Sequence, residues 1–196
     1  MPKLILASGS PYKAALLQRL MLPFSIEHPN VEEYAIENEA PRQTAERLAV
    51  EKARCVAQNN NGSIVIGADQ VADLDGHPIN KPQSHTLAFK QLEQQSGNDV
   101  VFHSGLALVR YTSNGTLEQC SSVSSTKVTF RNLQDSTIES YLRAETPYDC
   151  AGSFKAEGLG ISLFTNIESS DPTSLIGLPL IELCTLLAKF NININQ

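Results

Sequence analysis

The acid with the clearest chemical potential in this chain is Asp69. It follows the apolar run Ile64-Val65-Ile66 and the small pair Gly67-Ala68, which predict a short buried strand with the acid at its end. In open α/β sheets, ligands bind at the carboxyl ends of the strands. A carboxylate is costly there unless it meets a metal ion, a cation or a reacting water. Asp69 is therefore a candidate catalytic base or metal ligand.

The segment Ser8-Gly9-Ser10-Pro11 separates a predicted strand from a predicted helix. Free amides at a helix N-terminus, two hydroxyls and a glycine can together hold a phosphate group. Ser8 and Ser10 are thus candidate phosphate-binding residues. The alternative is a capped turn that binds nothing, because Ser10 is also a good N-cap and Pro11 a good first helical residue.

Lysines near the ends of predicted elements could neutralise an anionic substrate. The candidates are Lys13, Lys52, Lys81 and Lys155. Lys81 precedes a proline, which holds its backbone extended. Lys155 follows a small and apolar stretch, where a charge requires a reason. For each lysine, the alternative is a solvated surface position.

A pair of acids, Glu32-Glu33, lies in a predicted loop. Carboxylates brought together with phosphate-binding groups are what a hard divalent cation such as Mg²⁺ requires. Glu33 and Asp69 could therefore share a metal ion. The alternative for the pair is a solvated loop.

Apolar periodicity and turn residues predict the elements that position these groups. Strands are expected at 3–7, before Asp69, at 100–110, at 117–130 and at 158–167, and helices at 12–21, 41–57, 86–94, 134–143 and 179–190. Asn114-Gly115 predicts a hairpin between two of the strands. This order indicates an α/β fold with a mixed sheet and flanking helices, in one domain over residues 1–196.

Composition narrows the range of functions. The 196 residues include 41% hydrophobic residues and carry a net charge of −6. This charge argues against nucleic-acid binding, which needs a basic face, but does not exclude a small anionic substrate. No membrane span or secretory signal is evident, so we expect a cytoplasmic protein. The four widely spaced cysteines are expected to be reduced, buried thiols.

In their order and spacing, the motifs resemble the Maf family of nucleoside triphosphate pyrophosphatases. The match covers nearly the whole chain, and although each motif alone is weak, the set is highly specific. The motifs are Leu4 to Pro11, Glu51-Lys52-Ala53, Gly67-Ala68-Asp69-Gln70, Lys81-Pro82, Ala151-Gly152-Ser153-Phe154, Glu157-Gly158 and Ile176-Gly177-Leu178-Pro179-Leu180.

The resemblance implies an elongated α/β fold, Maf/ITPase-like, with a cleft between two lobes. It also implies hydrolysis of a nucleoside triphosphate to a monophosphate and pyrophosphate, dependent on a divalent cation, Mg²⁺ or Mn²⁺. Asp69 matches the family's proton acceptor, and Glu33 matches an acid that could bind the metal. The loop from Ser8 to Lys13, with Lys52 and Lys81, matches the family's phosphate cleft. The family usually carries arginine where this chain has Lys13, which keeps the charge but loses a two-pronged contact.

Three positions separate subgroups of the family, and they match Tyr12, Gln70 and Glu157 here. The subgroup acting on dTTP and UTP typically carries arginine, threonine and glutamine, whereas the 7-methyl-GTP subgroup carries an aromatic residue, glutamine and glutamate. This chain follows the second pattern. A 7-methylguanine ring is cationic and stacks well on an aromatic face, and a carboxylate can accept its N–H donors.

Alternatives to this function remain open at the level of sequence. One is a dTTP/UTP pyrophosphatase of the same family. The other is a non-enzymatic regulator of septum formation that binds a nucleotide or a protein without turnover. The resemblance is also compatible with a homodimer.

Overall fold

One mixed sheet organises the molecule. The computed structural model describes residues 2–34 and 36–194, and within these ranges seven strands form a single sheet, which confirms the predicted mixed α/β fold. The strands are β1 (Leu4–Ala7), β2 (Phe24–Glu27), β3 (Ile64–Leu74), β4 (His77–Ile79), β5 (Asp99–Tyr111), β6 (Leu117–Phe130) and β7 (Phe164–Ser169).

Strand pairing leaves a gap along one edge of β3. The strand order is β2-β1-β3-β5-β6-β7, with β4 paired to β3. β1 runs parallel to β3 and its pairing ends with Ala7 opposite Gly67, whereas the antiparallel pairing of β4 begins with Ala72 opposite Ile79. The other edge of β3 pairs with β5 throughout this stretch. Within the described residues, positions 68–71 therefore have no strand partner on the edge shared by β1 and β4.

The prediction that Asp69 lies at the end of its strand is wrong. β3 continues to Leu74, and Asp69 lies in its middle, opposite Gly105 of β5. The strand continues past the apolar run because β5 supplies backbone partners as far as Asp73. The strand that ends here is β1. Asp69 thus lies at the gap beyond the carboxyl end of β1.

Five α-helices flank the sheet in the described ranges, and none is long and apolar enough to cross a membrane. They are α1 (Pro11–Gln18), α2 (Pro41–Ala57), α3 (His85–Gln95), α4 (Asp135–Glu145) and α5 (Leu180–Lys189). Short 3₁₀ helices lie at Ala151–Ser153, Leu159–Leu163 and Ser174–Ile176.

Some local predictions differ from the structure. α1 ends before Met21, whose φ of 56° cannot belong to a right-handed helix. The first half of the strand expected at 158–167 is a 3₁₀ helix, because the chain folds tightly there: a Cβ on Gly160 would lie 2.3 Å from the carbonyl oxygen of Lys155. The four cysteines are free thiols, but each is half-buried rather than enclosed in the core.

α2 packs unusually close to one face of the sheet. A Cβ on Gly67 would lie 2.1 Å from the carbonyl oxygen of Ala49, and a Cβ on Gly105 would lie 2.1 Å from that of Ala45. Only glycine permits this approach, since real Cβ contacts are never so short. The close contact sets the height of α2 above β3, and so the position of Lys52 on that helix.

Two apolar clusters cover the opposite face. The first cluster joins α1 and α5 to the sheet through residues such as Leu17, Ile66 and Leu187. The second joins α3 and α4 to the sheet around Phe102 and Leu142. The gap in β3 lies between them, so a cleft between two packed halves follows from the arrangement of the cores.

Candidate active site

A cleft of about 460 Å³ lies at the unpaired edge of β3. Its walls come from residues 8–13, from 68–70 of β3 and from the segment 149–157. The structure brings together the candidate residues named from the sequence, except Glu32, which does not line the cleft. Those that line the cleft are Ser8, Ser10, Tyr12, Lys13, Glu33, Lys52, Asp69, Gln70, Lys81, Lys155 and Glu157.

Asp69 is buried at the floor of the cleft, with 8% of its surface exposed. Its Oδ1 accepts a hydrogen bond from the ammonium of Lys52 at 2.5 Å. Its Oδ2 accepts none from the residues that the structure describes. Burial raises the pKa of Asp69 above its ordinary value, and the neighbouring charges of Lys52 and Lys13 oppose that rise. The carboxylate therefore offers one free oxygen of enhanced basicity.

Lys52 connects two acids. Its Nζ lies 2.5 Å from Glu33 Oε1 as well as 2.5 Å from Asp69 Oδ1. Burial alone would lower the pKa of Lys52, but the two carboxylates raise it above the ordinary value. Burial likewise opposes ionisation of Glu33, yet its bond to Lys52 holds the pKa of Glu33 below the ordinary value. Lys52 and Glu33 are thus both charged at neutral pH.

Lys13 reaches into the cleft from the first turn of α1. Its Nζ lies beside Gly177, where a Cβ would stand only 3.3 Å from the ammonium. Gly177 has a φ of +113°, a backbone conformation that favours glycine, and a Cβ there would displace the Lys13 ammonium slightly. Burial lowers the pKa of Lys13 to about 8, although the charge of Asp69 raises it. Lys81 is exposed on the same cleft and adds a further cation.

The two serines of the loop before α1 hold its shape. Ser10 Oγ caps the helix by accepting the amide of Lys13 at 3.4 Å, and Ser8 Oγ accepts the amide of Ser10 at 3.1 Å. The predicted cap at Ser10 is confirmed. Both hydroxyl hydrogens remain available as donors toward the cleft, because each bond uses only an oxygen lone pair. Capping and phosphate binding are therefore compatible.

Gln70 is fixed by a distant turn. Its Nε2 donates to the carbonyl oxygens of Ser174 at 2.9 Å and Leu175 at 3.0 Å, and lies 3.1 Å from Ser104 Oγ. Ser104 Oγ donates in turn to the carbonyl of Ser174 at 2.6 Å. Since the amide hydrogens are committed to these acceptors, only the carbonyl oxygen of the side chain, a pure acceptor, is left for a ligand in the cleft.

Tyr12 and Glu157 line one end of the cleft together with two residues that the sequence did not single out, Asp149 and Cys150. Burial raises the pKa of the Tyr12 phenol, and the neighbouring Cys150, Asp149 and Glu157 raise it further. The phenol is therefore neutral at physiological pH. Burial also raises the pKa of Cys150 to about 12, so this thiol is not a nucleophile at neutral pH.

The side chain of Lys155 forms a hydrogen bond with a residue that is not among the candidate phosphate-binding residues. Its Nζ donates to the carbonyl oxygen of Glu145 at the end of α4, at 2.9 Å, and its backbone amide donates to Tyr141 Oη at 3.0 Å. A lysine at the C-terminal end of a helix satisfies a free carbonyl and interacts well with the helix dipole. Lys155 lines the cleft, but one of its ammonium hydrogens is already used.

The acids of the cleft suit a divalent ion only in part. Within residues 2–34 and 36–194, no group of three or more His, Cys, Asp and Glu side chains is arranged to hold a metal. Glu33 and Asp69, however, converge on one ammonium. Mg²⁺ is usually held by one or two carboxylates together with substrate phosphates, and Mn²⁺ also prefers such oxygen ligands. The donor set therefore fits an ion that arrives with a polyphosphate rather than a closed metal cage.

Comparison with known families agrees with the motifs. A family model described as Maf-like protein matches residues 3–190. The chain belongs to the Maf family. Among Maf proteins named 7-methyl-GTP pyrophosphatase, that of a Polaromonas species is 54% identical over 184 residues, covering 94% of this chain and 83% of the relative. The protein of the same name from Methylobacillus flagellatus is 48% identical over 194 residues, covering 99% of this chain and 100% of the relative.

Solved structures extend the likeness of this Maf protein to a second group. A HAM1 protein from Coxiella burnetii aligns with a TM-score of 0.51 and 19% identity, over 96% of this chain and 100% of that chain. The Ham1 protein of Staphylococcus aureus aligns with a TM-score of 0.50 and 12% identity, over 97% of this chain and 100% of that chain. At such identities the likeness concerns the fold alone.

Proposed function

We propose that this Maf protein is a nucleoside triphosphate pyrophosphatase that converts 7-methyl-GTP, or a related modified guanine nucleotide, to the monophosphate and pyrophosphate. The observation that carries the proposal is the division of the cleft. Lys13 and Lys52 lie close enough to Asp69 to act on its charge, and the Tyr12 ring has the carboxylates of Asp149 and Glu157 as neighbours. The names of relatives about half identical to this chain support the same substrate.

The residues around Asp69 suit the cleavage of a phosphoanhydride. Such a reaction needs positive charge on the phosphate oxygens and a positioned, activated water. Lys13 and Lys81, with the amides at the start of α1, would hold the phosphates. Asp69 Oδ2 would accept a proton from the water as its oxygen bonds to phosphorus. The bond between the α- and β-phosphate groups breaks, and the pyrophosphate leaves with that electron pair.

Glu33 and Asp69 are the residues that would hold a divalent ion, with Mg²⁺ or Mn²⁺ as the candidates. When bound, the ion would neutralise charge on the phosphate oxygens and assist ionisation of the water. Lys52 bridges the same two acids. It would keep their negative charges compensated before substrate arrives. We further propose that the enzyme acts in the cytoplasm, on the nucleotide pool there.

Tyr12, Gln70 and Glu157 would contact the base and determine which base is preferred. The neutral phenol ring of Tyr12 offers a face for stacking, and a cationic purine gains additional attraction from such a face. Glu157 can accept N–H donors from the guanine edge. Gln70 presents its carbonyl oxygen because its amide group is bound elsewhere. The three residues together therefore favour a base that donates hydrogen bonds and carries positive charge.

The decisive experiment is a nucleotide panel. The protein is incubated with Mg²⁺ or Mn²⁺ and with 7-methyl-GTP, GTP, dTTP or UTP, and released pyrophosphate is measured. We expect the highest kcat/KM for 7-methyl-GTP. A preference for dTTP and UTP would overturn the substrate assignment. Tight nucleotide binding without pyrophosphate release under either ion would instead favour the non-enzymatic regulator.

A further inference from the structure

The base end of the cleft contains a second carboxylate that belongs to none of the motifs. Asp149 lines the cleft with Tyr12 and Glu157, two residues before the 3₁₀ helix Ala151–Ser153. Its side chain is exposed to the cleft rather than enclosed in a core. An acid at this position is close to any ligand that stacks on Tyr12, so its charge must be accounted for.

The backbone around Asp149 is anchored on both sides. The carbonyl oxygen of Tyr148 accepts the amide of Gln83 at 2.9 Å, and Tyr148 Oη lies 3.0 Å from His85 Nδ1. On the other side, the amide of Cys150 donates to the carbonyl of Pro147 at 3.2 Å. Cys150 Sγ also donates to Asp149 Oδ1 at 3.5 Å, a weak bond from a thiol that stays protonated. The carboxylate is therefore held in a defined place.

The charges of Asp149 and Glu157 are only partly compensated by the protein. Neither Asp149 nor Glu157 forms an ion pair with any residue in the described ranges. The ammonium of Lys155 lines the same region, bonded to the carbonyl of Glu145, and its single positive charge is outweighed by the two carboxylates. Two carboxylates beside a neutral aromatic ring create a negative potential. A neutral purine would gain only stacking there, whereas a cationic one would gain Coulomb attraction as well.

We infer that Asp149 is a specificity residue that favours N7-methylated, cationic guanine over neutral guanine. The inference rests on the proposed function and deepens it, since it assigns the recognition of the base's charge to a further residue. Asp149 and Glu157 differ in what they offer: Glu157 can bond to the guanine edge, which both bases possess. Asp149 contributes through charge, which only the methylated base complements.

The test compares Asp149→Asn with the wild type on 7-methyl-GTP and GTP. The substitution keeps the shape and removes the charge. We expect the ratio of the two kcat/KM values to fall by roughly two- to fivefold, the size of one charge interaction at a solvated site. Asp149→Glu should keep most of the preference. The affinities of 7-methyl-GMP and GMP, measured by calorimetry, should change in the same ratio.

Asp75→Asn is the matched control, because Asp75 is an exposed acid in the β3–β4 turn, outside the cleft. It removes the same overall charge and should leave the ratio unchanged. An unchanged ratio in Asp149→Asn, or an equal change in Asp75→Asn, overturns the inference while leaving the proposed function intact. If the wild type releases no pyrophosphate from 7-methyl-GTP, the proposed function fails, and the inference fails with it.

Discussion

Lys52 Nζ lies 2.5 Å from Asp69 Oδ1, and both side chains are almost enclosed by the protein. The pair joins α2 to the middle of β3 at the point where β1 ends. Because Lys52 also bonds to Glu33, one ammonium satisfies the two carboxylates that could hold a divalent ion. The lysine and the ion would therefore compete for the same oxygens.

Replacing Lys52 by methionine should test that competition. The change leaves Asp69 buried without its cation, which we expect to lower the free energy of unfolding by roughly 3 kcal/mol. Mg²⁺ should then raise the Tm of Lys52→Met more than that of the wild type, since the ammonium no longer competes. Thermal melts with and without the ion measure both effects. Lys127→Met is the control, because Lys127 pairs with Glu168 on the surface and should matter little. An equal Mg²⁺ effect in wild type and Lys52→Met would rule out a shared site.

Asp69→Asn should remove most of the pyrophosphatase activity while the fold persists. Asparagine keeps an oxygen for Lys52 but cannot accept a proton from water, and general-base catalysis contributes about 10²- to 10⁴-fold. Pyrophosphate release from 7-methyl-GTP measures the loss, and circular dichroism checks the fold. Asp73→Asn is a control in the same strand but outside the cleft. Near-normal turnover in Asp69→Asn would exclude Asp69 as base or essential ligand.

The pH profile should contain an alkaline limb that belongs to Lys13. Burial lowers the pKa of Lys13 to about 8, so its positive charge is present below that pH and is lost as the pH rises through it. We expect kcat/KM for a nucleoside triphosphate to fall above about pH 8, because the cleft then has one positive charge fewer to bind the anionic substrate.

Two variants at Lys13 identify the source of this limb. Lys13→Arg carries a guanidinium that stays charged, so the fall should move to higher pH. Lys13→Met should lower kcat/KM at pH 7 by about tenfold or more, the size of one lost charge-assisted hydrogen bond. Lys90→Met, an exposed lysine of α3 outside the cleft, should keep the wild-type profile. A limb that persists unchanged in Lys13→Arg would assign it to another group.

Elements with strong local signals were predictable. α2 has the bounds expected from the spacing of its alanines, and Asn114-Gly115 marks the hairpin between β5 and β6. β2 was not predicted, because Phe24–Glu27 is only four residues long, and its alternation of apolar and polar residues is too short to indicate a strand by itself. The length of β3 was also underestimated, since its second half depends on pairing with β5, which no local pattern reveals.

In the candidate site, too, some features could be predicted from the sequence and others could not. Asp149 belongs to none of the family motifs, but most of the charged residues that line the cleft were found because they do. Their partners were not, because those contacts are distant in sequence. Gln70 is oriented by carbonyls of Ser174 and Leu175, and Lys155 by Glu145 of α4. Such contacts depend on the packed chain, so the sequence carries no local signal for them.

Gly67→Ala should impair both stability and activity, because the glycine sets the distance between α2 and β3. The new Cβ would lie 2.1 Å from the carbonyl oxygen of Ala49, so the helix must move outward. Overpacking of this kind costs about 1–3 kcal/mol. Lys52 is carried by the same helix and would move away from Asp69. A displacement of about 1 Å near a reacting centre can reduce the rate roughly 100-fold.

Gly76→Ala is the control that separates the displacement of α2 from the general effect of replacing a glycine by alanine. Gly76 has a φ of +84° but no atom within 4 Å of the added Cβ, so its substitution strains only the turn. We expect Gly76→Ala to lower Tm moderately and to keep kcat. Activity is measured well below the Tm of each variant, where both are folded. If folded Gly67→Ala retains the wild-type kcat, the placement of Lys52 by α2 does not govern the chemistry at Asp69.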